Sequence, residues 1–298
     1  MTSTTLFRRT AIAVGATVAA AGILAGCGPS DSTATPSPVA TSTPATAGTH
    51  LISSNGHKVA FQVTPGRLPA IVLDAGGGAD SSYWKNLAPV LAKSTGSEII
   101  TYDREGMGAS DEVPGPWKVE NAVSDLETGL TELGATKVIL VSHSEAGEIA
   151  TYFADQHPDQ VSGAVLVDAS LPQFYTDSEI ARVAAATQPQ VDALKKKPNP
   201  TKPERQLLAV AADYVPEHKA YHKMTWPSGV SATVIASAQT PFPTSPPDAQ
   251  AWRNAQAEFA KAAGNRRLVT AANTSHDVAL DNPGLVQSEV EAMVKSAD

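Results

Sequence analysis

The ten residues Val138–Gly147, VILVSHSEAG, predict the fold more directly than any other part of this 298-residue sequence. Four apolar residues open the segment, as is typical of a strand buried on both faces of a sheet. A turn carrying Ser144 follows, and the sequence then becomes helical in character. The residues two before and two after it, Ser142 and Ala146, are small, as a sharp strand-to-helix turn requires. Ser144 is therefore either a nucleophile held on such a turn or an ordinary helix cap.

The rest of the chain repeats this alternation of short apolar segments and helical stretches. The predicted strands are residues 57–63, 70–74, 98–102, 137–141, 161–167, 232–236 and 267–270. The predicted helices lie near residues 83–93, 119–133, 145–157, 249–263 and 283–295. Such alternation predicts an α/β fold with a mainly parallel, doubly wound sheet. Residues 171–229 are helical in character but interrupted by prolines, which predicts a helical cap inserted between late core strands.

Several motifs resemble the α/β-hydrolase family, and together they cover most of the chain. The segment around Ser144 resembles that family's nucleophile elbow, although Ser142 replaces its first glycine. Residues 71–84, IVLDAGGGADSSYW, resemble its first oxyanion loop, and residues 103–110, DREGMGAS, resemble its Asp-Arg-x-Gly-x-Gly-x-Ser turn. Residues 273–286, NTSHDVALDNPGLV, resemble its histidine loop and last helix. The resemblance implies an α/β-hydrolase fold and a serine nucleophile that acts without a cofactor.

The general base can be assigned by elimination among the seven histidines. His276 alone follows a late core strand, from which a loop could bring it to Ser144. The acid that orients His276 is less determined, because the strand after which the family usually carries it is followed by no carboxylate until Asp248. Some members of the family place the acid one strand earlier, at the position of Asp168. We therefore favour Asp168, keep Asp248 as the alternative, and consider Asp277 a weaker one.

The predicted oxyanion donors are two backbone amides, Gly77 N–H in the glycine-rich loop and Glu145 N–H directly after the nucleophile. The Glu145 carboxylate would repel an oxyanion, so we expect it to turn into the cleft or to pair with a cation. Binding of a cationic substrate group is one hypothesis for its use. His218 and His222 have a spacing that can bind zinc on a helix, but no third ligand is evident in the sequence. We therefore expect neither a metal ion nor a cofactor.

The N-terminal part of the chain predicts export and attachment rather than a folded domain. Residues 1–26 combine a short basic start with an apolar stretch, which is typical of a signal peptide. Residues 24–27, LAGC, resemble the lipobox of bacterial lipoproteins, and Cys27 is the only cysteine. The resemblance implies lipidation of Cys27 and anchoring to a membrane of the bacterial cell envelope. Residues 27–48, rich in Ser, Thr and Pro, predict a disordered tether, and residues 49–298 predict the hydrolase domain.

Net charge and the motifs together restrict the function. The formal net charge is −8, and removal of residues 1–26 would make it −10, which argues against a nucleic-acid partner. The expected partners are a small acyl substrate and, through Cys27, a membrane. The predicted function is hydrolysis of carboxylic esters through an acyl-enzyme on Ser144. Two alternatives stay open: a non-catalytic protein that binds a ligand in the same cleft, and a peptidase or amidase of the same fold.

Overall fold

The computed structural model describes residues 45–297, so Cys27, the predicted signal peptide and most of the predicted tether lie outside the described part of the chain. Eight strands form one sheet in the order β1-β2-β4-β3-β5-β6-β7-β8. The strands are β1 (Gly48–Ser54), β2 (His57–Thr64), β3 (Arg67–Asp74), β4 (Ser97–Asp103), β5 (Val138–His143), β6 (Val161–Val167), β7 (Ala232–Ser237) and β8 (Arg266–Ala271). β2 pairs with β1 and with β4 in antiparallel fashion, and the other five pairs are parallel. The predicted mainly parallel sheet is confirmed.

Helices cover both faces of this sheet. They are α1 (Ala88–Thr95), α2 (Val119–Leu133), α3 (Ala146–Gln156), α4 (Asp177–Lys195), α5 (Lys202–Ala212), α6 (Tyr214–Tyr221), α7 (Pro246–Lys261), α8 (Val278–Asp281) and α9 (Pro283–Ala297). In β5, Val138 and Leu140 pack in one buried cluster with α2 and α3, whereas Ile139 and Val141 pack in a second cluster with α1 and α9. Burial on both faces explains why the strand sequence is apolar without a break. None of these helices is long and apolar enough to cross a membrane.

Three helices, α4 to α6, lie between β6 and β7, in the segment for which the sequence predicts a helical cap. α4 begins after Thr176, whose hydroxyl accepts a hydrogen bond from Glu179 N–H. α5 begins with a capping box of Thr201 and Glu204, and Pro203 occupies its first turn, where a missing N–H costs nothing. The prolines that interrupt the sequence pattern therefore include helix starts.

The edge strand β1 is absent from the predicted strands. It pairs only with β2, and most of its side chains are exposed or half-buried. A strand with little buried area needs no apolar run, so its seven residues carry none of the pattern that identifies the central strands.

The register of the sheet brings the predicted site residues to one edge. His143, the last residue of β5, pairs with Val167, the last residue of β6, so the residues that follow both strands emerge side by side. Val167 in turn pairs with Ile235 of β7. Ser144, Asp168 and the loop after β7 therefore meet at the carboxyl edge, where open α/β sheets bind their ligands.

Candidate active site

Ser144 stands on a strained turn between β5 and α3. Its backbone has a φ of +54°, a left-handed conformation that serine rarely adopts. The turn is held because Ser144 C=O accepts hydrogen bonds from Gly147 N–H at 2.9 Å and from Ser170 N–H at 2.8 Å. A Cβ on Gly147 would overlap the Ser170 carbonyl oxygen, and a Cβ on Gly76 would lie 3.0 Å from the Ser144 Cβ. Both glycines thus permit a close approach of backbone to the elbow, which exposes the serine hydroxyl at the sheet edge.

The structure brings Ser144, His276 and Asp168 into one chain of hydrogen bonds. Ser144 Oγ lies 2.8 Å from His276 Nε2, and His276 Nδ1 lies 2.6 Å from Asp168 Oδ2. The three residues follow β5, β8 and β6 respectively. With Nδ1 donating to the carboxylate, Nε2 carries a lone pair that can accept the serine proton. This is the arrangement needed to turn a hydroxyl into a nucleophile.

Asp168 is fully buried and is held as a charged group by donors around it. Its Oδ1 accepts from Trp252 Nε1 at 2.9 Å and from Ser237 N–H at 3.1 Å, and its Oδ2 also accepts from Ser237 Oγ at 2.6 Å. Burial alone would raise the pKa of this carboxyl. The hydrogen bond and the charge of His276, together with hydrogen bonds from Ser237 and Trp252, instead hold its pKa below the ordinary value. Asp168 therefore faces His276 as a carboxylate.

Asp248, the alternative acid, has other partners. It lies in the first turn of α7, where its carboxylate pairs with Arg182 Nε at 2.7 Å and accepts from Ser245 Oγ. Arg182 belongs to α4, so Asp248 links α7 to the cap helices rather than to His276. The structure thus brings Asp168, and not Asp248, to the histidine.

Gly77 and Glu145, the predicted oxyanion donors, lie close together beside Ser144. A Cβ on Gly77 would be 2.7 Å from Glu145 Oε2, and, among the described residues, neither backbone N–H donates a hydrogen bond. The Glu145 carboxylate pairs with Arg104 Nη1 at 3.2 Å, and Arg104 Nη2 donates to Gly76 C=O at 2.8 Å. The expected pairing with a cation is thus made inside the chain. Arg104 also ties the oxyanion loop to the elbow.

Three contacting residues are missing from the sequence-based prediction. Ser237 of β7 and Trp252 of α7 donate hydrogen bonds to Asp168, and His143 donates one to the backbone of His276. His143 Nε2 donates to the His276 carbonyl oxygen at 3.0 Å, and its ring stacks on Tyr83 with centroids 4.8 Å apart. Burial and the neighbouring His276 lower the pKa of His143 to about 4, so it stays neutral. Only Ser237 had a sequence signal, since it directly follows the predicted strand 232–236, after which the family usually carries its acid.

Two neighbouring cavities lie under the cap. The first, of about 600 Å³, is lined by Ser144, by apolar side chains that include Met107, Leu207 and Val210, and by charged side chains that include Arg104. The second, of about 450 Å³, shares Leu207 and Val210 and extends between α4, α5 and α6. Cavities of this size, in which apolar side chains lie beside polar ones, suit the burial of a small organic molecule.

His218 and His222 do not form a shared metal site. His218 Nδ1 donates to Tyr214 C=O at 2.7 Å and its Nε2 lies 3.6 Å from Glu148, whereas His222 Nδ1 donates to Pro172 C=O at 2.8 Å. Burial lowers the pKa of His218 to about 4, which fits a neutral side chain packed between the cap and α3. Both histidines thus act as hydrogen-bond donors within and beneath the cap.

Comparison with known proteins gives the same architecture. A family model described as the alpha/beta hydrolase fold matches residues 69–214. The mouse sn-1-specific diacylglycerol lipase ABHD11 is 34% identical over 119 residues, which are 40% of this chain and 38% of that protein. The chain therefore aligns with well under half the length of this curated relative.

Solved structures match over more of the chain. An esterase from Exiguobacterium antarcticum superposes with a TM-score of 0.61 at 19% identity, covering 84% of this chain and all of that one. Mouse alpha/beta hydrolase domain-containing protein 10 superposes with a TM-score of 0.64 at 13% identity, covering 85% of this chain and all of that one. The predicted α/β-hydrolase fold is confirmed, and the similarities support a hydrolase.

Proposed function

We propose that this chain, which has the α/β-hydrolase fold, is a serine hydrolase that cleaves carboxylic esters through an acyl-enzyme on Ser144. One observation carries the proposal: the unbroken hydrogen-bond chain from Ser144 Oγ through His276 to the buried Asp168. A helix cap needs no histidine at its hydroxyl, and a binding cleft needs no charged acid behind that histidine. The strained φ of Ser144 adds to this, because strain of this kind persists where function requires it.

Acylation follows from the positions of these atoms. Ser144 Oγ attacks the substrate carbonyl carbon while its proton moves to His276 Nε2. The imidazolium that forms is stabilised by the Asp168 carboxylate, which does not itself take the proton. Gly77 N–H and Glu145 N–H donate to the oxyanion of the tetrahedral intermediate. One such donor typically stabilises the transition state by about 3–4 kcal/mol. His276 then returns the proton to the alcohol oxygen as the ester bond breaks.

Deacylation uses the same groups with water in place of serine. His276 Nε2 takes a proton from water, whose oxygen attacks the acyl carbon. The second tetrahedral intermediate uses the same two amides, and its collapse releases the carboxylic acid as the proton returns to Ser144 Oγ.

The cavity lining supports an apolar acyl group as the part of the substrate held under the cap. Leu207 and Val210 line both cavities, together with Thr187 and Glu145, so an acyl chain that enters beside Ser144 can extend along the two apolar side chains between the cap helices. Each buried methylene contributes about 0.8 kcal/mol, which corresponds to at most about fourfold in kcat/KM. We therefore expect butyrate and octanoate esters to be better substrates than acetate.

A panel of substrates tests the proposal. The purified protein and its Ser144→Ala variant are assayed on p-nitrophenyl acetate, butyrate, octanoate and dodecanoate, and on aminoacyl p-nitroanilides. The proposal predicts ester turnover that Ser144→Ala abolishes, with anilides cleaved far more slowly. Preferential cleavage of anilides would instead indicate a peptidase. Binding of a fatty acid by the folded wild type without turnover would indicate a non-catalytic ligand-binding protein.

We also propose that the protein acts while anchored to a membrane of the bacterial cell envelope through lipidated Cys27. The support is the sequence LAGC at residues 24–27, since Cys27 lies outside the described residues. Growth with an alkyne-tagged fatty acid tests this in the full chain. The wild type should carry the tag and sediment with membranes, and Cys27→Ser should do neither. An untagged wild type in the soluble fraction would contradict the proposal.

A further inference from the structure

A second cluster of ionisable side chains shares no residue with the hydrogen-bond chain of Ser144. His57 begins β2, Glu105 lies in the loop after β4, and Asp125 lies on α2. His57 Nε2 is 2.8 Å from Asp125 Oδ2, and one potential ligand atom from each of the three residues lies within 4.8 Å of the others. Within residues 45–297, this is the one group of three such side chains close enough to share a cation.

Both carboxylates of the cluster are buried and incompletely paired. Asp125 is 2% exposed and Glu105 is 3% exposed. Asp125 Oδ1 and Glu105 Oε2 have no hydrogen-bond partner in the described part of the chain. A buried carboxylate oxygen without a donor is costly, and two carboxylates side by side also repel each other. The cluster therefore leaves two buried carboxylate oxygens that no donor among the described residues satisfies.

We propose that His57, Glu105 and Asp125 bind a divalent transition-metal ion, with water completing the coordination. One imidazole nitrogen and two carboxylate oxygens form a ligand set that suits Zn²⁺ or Mn²⁺. The ion would neutralise both carboxylates and provide a partner for their unpaired oxygens. Ligand atoms about 2.0–2.2 Å from an ion lie roughly 3 Å from one another. Small rotations of the three side chains, whose ligand atoms now lie within 4.8 Å of one another, would bring them to that distance.

The role of such an ion would be structural. It would join the start of β2, the loop after β4 and the middle of α2, three segments far apart in sequence. Glu105 also lines the 600 Å³ cavity, so the ion would hold one wall of that cavity. It is not part of the ester chemistry proposed above, and its test does not depend on activity.

Zinc titration tests the site. The full chain, carrying Cys27→Ser to remove the only thiol, is stripped of metal and titrated with Zn²⁺ by calorimetry, and its thermal unfolding is followed at each ratio. We expect one equivalent to bind and the Tm to rise by about 5–10 °C at a hundredfold excess over Kd. His57→Gln and the isosteric Glu105→Gln should lose both effects. His157→Gln, which removes another histidine near a carboxylate, should keep both.

Two results would overturn the proposal. One is a wild type that binds no stoichiometric Zn²⁺. The other is a folded His57→Gln or Glu105→Gln variant that binds and is stabilised as the wild type is, which would place the ion elsewhere. Circular dichroism shows whether the variants fold. If they do not, the titration of the wild type alone decides whether the protein binds one equivalent of Zn²⁺.

Discussion

Replacement of Asp168 by asparagine should reverse the hydrogen bonding of His276 while leaving the shape of the site unchanged. Trp252 Nε1–H and Ser237 N–H both donate to Oδ1, so the amide oxygen of the asparagine must take that position. Its NH₂ group then faces His276 Nδ1, which lies 2.6 Å from Oδ2. An NH₂ group donates, so Nδ1 must accept, and the ring proton moves to Nε2. That nitrogen could then no longer accept the proton of Ser144.

The magnitude follows from the loss of the general base. Such a change in a serine–histidine–acid triad typically lowers kcat by about 10⁴, or roughly 5 kcal/mol of transition-state stabilisation. Hydrolysis of p-nitrophenyl butyrate by Asp168→Asn should fall by that factor with a nearly unchanged KM, because the substrate cavity is not lined by Asp168. Circular dichroism and thermal unfolding check that the variant is folded.

Asp248→Asn is the matched control. It makes the same chemical change in a carboxylate that is also buried but pairs with Arg182 of the cap. We expect its kcat to stay within a few-fold of the wild type. The reasoning would be refuted by a folded Asp168→Asn that retains more than about a tenth of the activity, or by an equal loss in Asp248→Asn.

Three further predictions concern the elbow and its neighbours. Gly147→Ala should lower the free energy of unfolding by about 1–3 kcal/mol in urea titrations, because its methyl group meets the Ser170 carbonyl; a neutral result would contradict the packing. The pKa of His143 is lowered to about 4 from 6.5 by burial, so the unfolded chain binds its proton first and stability is lost as pH falls from 6.5 to 4. The wild type should lose about 3 kcal/mol more than His143→Gln over that range, and parallel pH curves would argue against it. Glu145→Gln should leave the kcat/KM ratio of cationic to neutral esters unchanged, because Arg104 already pairs with the carboxylate; a large drop would restore a cation-binding role.

The sequence identifies the central architecture because burial on both faces leaves a direct pattern. β5 and β6 are apolar runs, and Ser144 and Asp168 are the residues that directly follow them. Assigning the two strands therefore also places these two side chains at one edge of the sheet. His276 follows from the same logic, since it comes after the last strand of the sheet. The exposed edge strand β1 lacks this pattern and is missed for that reason.

The surroundings of the site depend on packing that no local pattern encodes. Trp252 reaches Asp168 across 84 residues, and its indole could as well have been an ordinary core side chain of α7. Arg104 belongs to the segment that resembles the Asp-Arg-x-Gly-x-Gly-x-Ser turn, and its contacts with Gly76 and Glu145 form only when two loops are brought together. Tertiary approach of separate segments, rather than spacing along the chain, creates these contacts.

Covalent labelling of Ser144 tests the central claim most directly. The wild type is incubated with a fluorophosphonate, and the intact mass and the labelled peptide are determined by mass spectrometry. The account predicts a single adduct on the peptide that contains Ser144, none in Ser144→Ala, and much slower labelling in Asp168→Asn. A folded wild type that stays unlabelled, or a Ser144→Ala variant that labels at the same rate, would contradict the assignment of Ser144 as the nucleophile.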